Sequence, residues 1–176
     1  MTLEAFADTI VPGEKRSPED RAVAGVAPGG GAVEAGAVAL LETPATGVSD
    51  ALDNYTEALN GHALAYADEH GLTLDQDVPP FVALEFDDRT ALVRSLVAPE
   101  HPEKELWVLL TLFSNMAFDT GAHIHTSEAM ANGHPGLAAM GFSQPDTDGL
   151  WRFPAFSYGR QLADLHPDTT PTGSPA

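Results

Sequence analysis

The chain has 176 residues, with 8 Lys plus Arg against 26 Asp plus Glu, a formal net charge of −18 and a pI near 4.4. A single domain is the expectation at this length, and so anionic a surface argues against nucleic acid, anionic membrane and ATP-type polyanions as partners. With zero cysteines, disulfides, thiolate catalysis, Cys-ligated zinc, iron–sulfur clusters and attached c-type haem are all excluded.

At the start of the chain, Leu3, Phe6 and Ile10 have the spacing of one helix face, and Pro12-Gly13 predicts the stop. This opening is amphipathic and acidic where an export signal would carry a basic n-region, so the expected compartment is the cytoplasm. Residues 31–42 predict a helix of small residues, Ala32, Ala35, Gly36, Ala37 and Ala39, against which another backbone can pack closely. Ser49 or Asp50 is the expected cap of a longer helix with the stripe Leu52, Tyr55, Leu59, His62, Ala63 and Tyr66, ending at His70 and Gly71.

Asp87 or Asp88 is the expected cap of the next helix, which runs through Leu92, Val93 and Leu96 to Pro99. Pro102 suits a first helical position, and residues 106–118 that follow are apolar almost all round, which predicts a central, buried helix. Residues 78–86 are broken as a strand by Pro79-Pro80, and residues 151–156 look like an extended arm. Residues 157–165 allow a short terminal helix. No apolar run reaches the roughly 18 residues of a membrane span. The expected fold is all-α, a helical bundle around a buried central helix at about 102–120 with long irregular loops. Residues 1–166 would form one domain, and residues 167–176, rich in Pro, Ser and Thr, a flexible tail.

Leu3-Glu4-Ala5-Phe6-Ala7-Asp8-Thr9-Ile10-Val11-Pro12-Gly13, followed by Ala24-Gly25-Val26 and the small-residue segment 31–41, resembles the opening of the small-subunit family of membrane-associated gluconate 2-dehydrogenases. The whole chain is also similar to an uncharacterised actinobacterial family, through stretches such as Asp20-Arg21-Ala22-Val23-Ala24-Gly25 and Gly149-Leu150-Trp151-Arg152-Phe153-Pro154. The first resemblance implies a non-catalytic, all-α accessory subunit of a flavin-dependent oxidoreductase of the glucose–methanol–choline class. The flavin would belong to the flavoprotein large subunit, and this chain would carry no cofactor. Residues 7–13 then have a structural role as a helix and turn.

Other residues allow a stand-alone enzyme acting on a small apolar metabolite. If the central helix continues past Gly121, then Asn115, Asp119 and His123 form one polar line, with Asp119 and His123 as an acid–base pair. His62 and Tyr66, one turn apart, would join them if the two long helices share a pocket; a hydrogen-bonded polar seam is the structural alternative. A metal-assisted version draws on His123, His125, Glu128 and His134. In a strand His123 and His125 would share a face, whereas in a helix they diverge by roughly 160°. The glycine-rich residues 29–31 lack a Gly-Lys-Ser/Thr ending and a preceding strand, which excludes a phosphate loop. Lys15, Arg16 and Arg21 sit among acidic residues, as internal ion pairs, a clamp onto the acidic body or an anchor for a partner's acidic group. Trp151, Phe153, Phe156 and Tyr158 are aromatic residues for packing or for a partner.

Overall fold

The computed structural model describes residues 1–142. The expected arm, terminal helix and tail, the aromatic residues 151–158 and the end of the expected 1–166 domain lie outside the described residues. Within them the fold is all-α, with eight α-helices and no strand.

Phe6 dictates where the core forms. It lies on α1 (Thr2–Ile10) with Ala5 and Ala7, all fully buried. Its ring sits between Phe81 on α4 (Pro80–Ala83) and Trp107 on α6 (Lys104–Thr120), with centroids 6.4 and 6.2 Å away. Besides α4 and α6, α1 packs on α2 (Ala37–Glu42), α3 (Leu52–His70) and α5 (Phe86–Leu96). A nine-residue helix is marginal alone in water, so its order comes from this enclosure.

The long helix α6 packs on α1, α2, α5 and α8 (Pro135–Ala139) and buries Trp107, Leu110, Ser114 and Ala117. Its burial is one-sided where the sequence predicts burial all round: Val108 and Leu112 are 42% and 50% exposed on the outward strip. A chain of this size has only so much core surface, and α1 occupies the middle of it.

The expected helix 31–42 is shortened to 37–42, because Gly36 turns into the left-handed region at φ 85°. The small residues still do what their size allows, since Ala7, Ala32, Ala37, Leu40 and Ala117 form a second buried cluster between α1, α2 and α6. Three expected helix starts move. A 3-10 turn (Ser49–Ala51) leads into α3, Glu85 precedes α5 with Asp87 and Asp88 inside its first turn, and Glu103, not Pro102, borders α6.

Between α1 and α2 runs a long irregular segment that crosses itself. The amide of Ala32 donates to Val11 O at 2.9 Å and that of Glu14 to Gly29 O at 2.7 Å. At the crossing a Cβ on Gly13 would meet Gly31 N at 2.3 Å, and one on Gly31 would meet Val11 O at 2.4 Å, so both positions require glycine. The glycine-rich stretch is thus a place where two backbones meet.

Two buried charges hold this segment. Asp8, 1% exposed, accepts the Gly13 amide at 3.1 Å and the Ala24 amide at 2.8 Å. Arg89 on α5, 4% exposed, donates from Nη1 to Ala22 O at 2.8 Å, from Nη2 to Val82 O at 2.6 Å and Arg21 O at 3.3 Å, and from Nε to Leu84 O at 2.9 Å. Burial pushes the Asp8 carboxyl above its ordinary value, against the pull of the two amides and of Arg89; burial likewise lowers the Arg89 guanidinium.

Replacing Arg89 by Met keeps most of the apolar stem but strips four carbonyls of their donor and leaves Asp8 without its countercharge. Urea unfolding of Arg89→Met should show a loss of about 4 kcal/mol. A loss below about 1 kcal/mol would mean that water satisfies these carbonyls equally well.

Candidate functional site

The C-terminal end of α6 decides the expected acid–base pair. Gly121 adopts the left-handed conformation at φ 57° and stops the helix after Thr120. Asp119 therefore ends the helix with Asn115 donating to its carboxylate, while His123 belongs to the next loop. The two side chains do not share a helix face, and no hydrogen bond joins them among the described residues.

Past Gly121 the histidines serve mainly as caps. His125 borders α7 (Thr126–Ala131), its Nδ1 accepting the Ser127 amide at 3.3 Å and lying 2.7 Å from Ser127 Oγ. Glu128 lies in the first turn of α7. His134 borders α8, where Nδ1 accepts the Leu137 amide at 3.3 Å; Nε2 is then the protonated nitrogen and donates to Ala35 O at 3.2 Å. Both ring nitrogens of His134 are thereby occupied by the chain's own backbone. Among the described residues, His123, His125, Glu128 and His134 do not converge to within ligand distance.

His123 is different. Its ring lies against Gly36, where an added Cβ would be 2.3 Å from Nε2, and its Nδ1 is buried with no hydrogen-bond partner. It lines a cleft of about 210 Å³ with Glu34, Asn132 and His134. Burial, then the charge of His134, lowers its pKa from the ordinary 6.5. An imidazole with an unshared buried nitrogen can accept a proton or a donor from a small polar molecule, but it has no carboxylate to orient it.

His62 stands at the opposite end of α6, and Tyr66 faces α5. His62 Nε2 is 2.7 Å from Glu103 Oε2, and the helical rise from Glu103 to Asp119 is about 24 Å. Tyr66 donates to Asp88 at 3.1 Å and stacks on His70 with centroids 4.0 Å apart. The expected common pocket of His62 and Tyr66 with Asp119 and His123 is not formed.

What surrounds His62 is a cluster that sequence reasoning missed. Its ring meets those of His101 and Trp107 edge-on, with centroids 5.5 and 5.7 Å away. The Trp107 indole N–H donates to the same Glu103 Oε2 at 3.1 Å, and the Glu103 amide donates to His101 Nδ1 at 3.2 Å. The donor atoms of His62, His101 and Glu103 all lie within 4.8 Å of one another. The hydrogen bond from His62, then that from Trp107, holds the Glu103 carboxyl below its ordinary 4.5. The available signal was His101-Pro102-Glu103, two potential ligands one residue apart just ahead of a helix.

Two basic residues of the N-terminal segment, Arg16 and Arg21, pair with acidic residues of the same chain at the surface. Arg16 pairs with Glu4 and Asp20, each at 2.6 Å, and Arg21 reaches Asp75 at 2.6 Å. The Arg16 guanidinium holds the Asp20 carboxyl down at about 2. These are the internal pairs and the clamp onto the acidic body that the composition allows, of modest worth at an exposed surface.

Fold and site together define an all-α protein whose polar clusters lie at the two ends of α6. The chain belongs to the family of unknown function DUF5987, whose model matches residues 1–176. No curated protein and no solved structure matches it. No helix among the described residues is long and apolar enough to cross a membrane.

His123 yields a pH test. Because its folded pKa is lowered, the unfolded chain takes up the proton first as pH falls through 6.5, so folding stability declines below that pH. An NMR titration should place the His123 midpoint below 6.5, and His123→Gln should remove that part of the stability loss. A midpoint at or above 6.5 would contradict the burial.

Proposed function

We propose that this chain is an accessory subunit of a flavin-dependent oxidoreductase of the glucose–methanol–choline class, supplying a docking surface while its partner holds the flavin. The observation that carries the reading is the use made of Asp8. In the segment that resembles gluconate 2-dehydrogenase small subunits, this carboxylate is 1% exposed and spent on the chain's own Gly13 and Ala24 amides. That use of Asp8 supports reading the resembling segment as a structural helix and turn.

The outward strip of α6 supports the same reading. Val108 and Leu112 lie one turn apart and are 42% and 50% exposed, with Glu105 before them and Asn115 and Asp119 after them on the same helix face. That is an apolar centre with a polar edge, the usual anatomy of a protein interface. Burying two such side chains is worth about 3 kcal/mol, so the strip would be the centre of a larger contact. With a net charge of −18, the chain favours a partner face that is not itself strongly acidic.

The alternative of a stand-alone enzyme for a small apolar metabolite draws support from one feature, the unpartnered Nδ1 of His123 beside its cleft. The cleft's Glu34, Asn132 and His134 make it more polar than that substrate calls for.

Coexpression with a glucose–methanol–choline flavoprotein from the same source organism, followed by affinity capture of this chain, tests the proposal. Flavin absorbance should co-elute with it, and Val108→Asp combined with Leu112→Asp should abolish co-elution without altering the circular dichroism. Elution of the chain alone, with turnover of a small metabolite that His123→Ala removes, would establish the alternative instead.

A further inference from the structure

We propose that His62, His101 and Glu103 form a binding site for a divalent first-row transition-metal ion of the zinc type, at the junction of α3 with the start of α6.

The donor set suits such an ion. Two imidazoles and a carboxylate are typical ligands of zinc and its neighbours, and three protein donors leave positions open to water or to a further ligand. The separations suit it as well. Zinc–nitrogen and zinc–oxygen bonds of about 2.0–2.2 Å place tetrahedral donors about 3.3 Å apart. Here the three donors lie within 4.8 Å of one another, and His62 Nε2 is 2.7 Å from Glu103 Oε2. An ion between them would replace that hydrogen bond, with side-chain rotation drawing the donors from within 4.8 Å to about 3.3 Å.

The surroundings are arranged for a ligand carboxylate. Trp107, itself fully buried, donates its indole N–H to Glu103 Oε2 at 3.1 Å, which orients the group from below. Glu103 Oε1 has no hydrogen-bond partner among the described residues, so an ion can be bound through it with the Trp107 bond intact.

His101 Nδ1 accepts the Glu103 amide at 3.2 Å, which fixes a neutral ring beside that of His62, with centroids 5.5 Å apart. A metal ion uses both rings in their neutral form. The net charge of −18 raises the local concentration of cations over the whole surface, and this cluster adds the directional donors.

The test uses the full chain, free of any affinity tag and stripped of metal with a chelator, in a Trp151→Phe background so that Trp107 is the sole indole. Zinc chloride is titrated in competition with a chromophoric chelator, and copper(II) chloride is added separately to read quenching of Trp107 fluorescence. The expected result is one saturable zinc site per chain, with saturable copper quenching of Trp107 that is lost in His101→Ala. His101→Ala and Glu103→Gln should each weaken zinc by more than about tenfold, while His70→Ala leaves the affinity unchanged. Should Glu103→Gln disturb folding through Trp107, His101→Ala alone decides. The proposal is overturned if zinc binding is not saturable, if His101→Ala binds as tightly as the parent, or if His70→Ala loses as much as His101→Ala.

Discussion

Two buried charges, Asp8 and Arg89, make the rest of this structure possible. The chain between α1 and α2, residues 11–36, has no regular helix or strand, and its backbone groups still need partners where they pass over the core. Asp8 supplies acceptors to the amides of Gly13 and Ala24, and Arg89 supplies donors to the carbonyls of Arg21, Ala22, Val82 and Leu84. Each charge taken alone would be costly to bury; each is compensated by several directed hydrogen bonds and by the other's opposite sign. Because both grip residues 21–24, the loop, α1 and α5 form one unit. The enclosure of Phe6 depends on it, and so does the crossing of Gly13 with Gly31 that delivers the chain to α2.

Local punctuation made much of the helical framework legible in the sequence. The course of α3 and α6 follows from apolar spacing, and their stops from Gly71 and Gly121, both left-handed C-caps. The same Gly121 explains the main disagreement at the site. A glycine inside a periodic pattern can be read through or taken as a stop, and the pairing of Asp119 with His123 needed the former. The roles of Arg89 and of the His62 cluster were not legible for a different reason. Arg89 meets Ala22 across 67 positions and His62 meets Glu103 across 41, and no local pattern encodes contacts of that range. An isolated arginine in an amphipathic helix looks like a surface charge until the loops that surround it are placed.

This arrangement also bears on function. Every basic residue named in the N-terminal segment's ion pairs is satisfied within the chain, and Asp8 is committed to the fold. Chemistry open to an outside molecule lies instead along α6: an apolar outward strip midway, a histidine cleft beyond its end, and the His62, His101 and Glu103 cluster at its start. A helix anchored on one face by Trp107, Leu110, Ser114 and Ala117 is a rigid platform for all three. An accessory subunit that presents a strip to a flavoprotein and a metal site near one end are compatible readings, because they use different parts of it.

A double-mutant cycle on Asp8→Asn and Arg89→Met measures the central claim directly. If the two charges hold one loop as a unit, the loop is already released in either single variant, and the double variant will be less destabilised than the two effects added, by about 1 kcal/mol or more. Additivity to within about 0.5 kcal/mol in urea unfolding would contradict the account, because it would mean that Asp8 and Arg89 act on the fold independently.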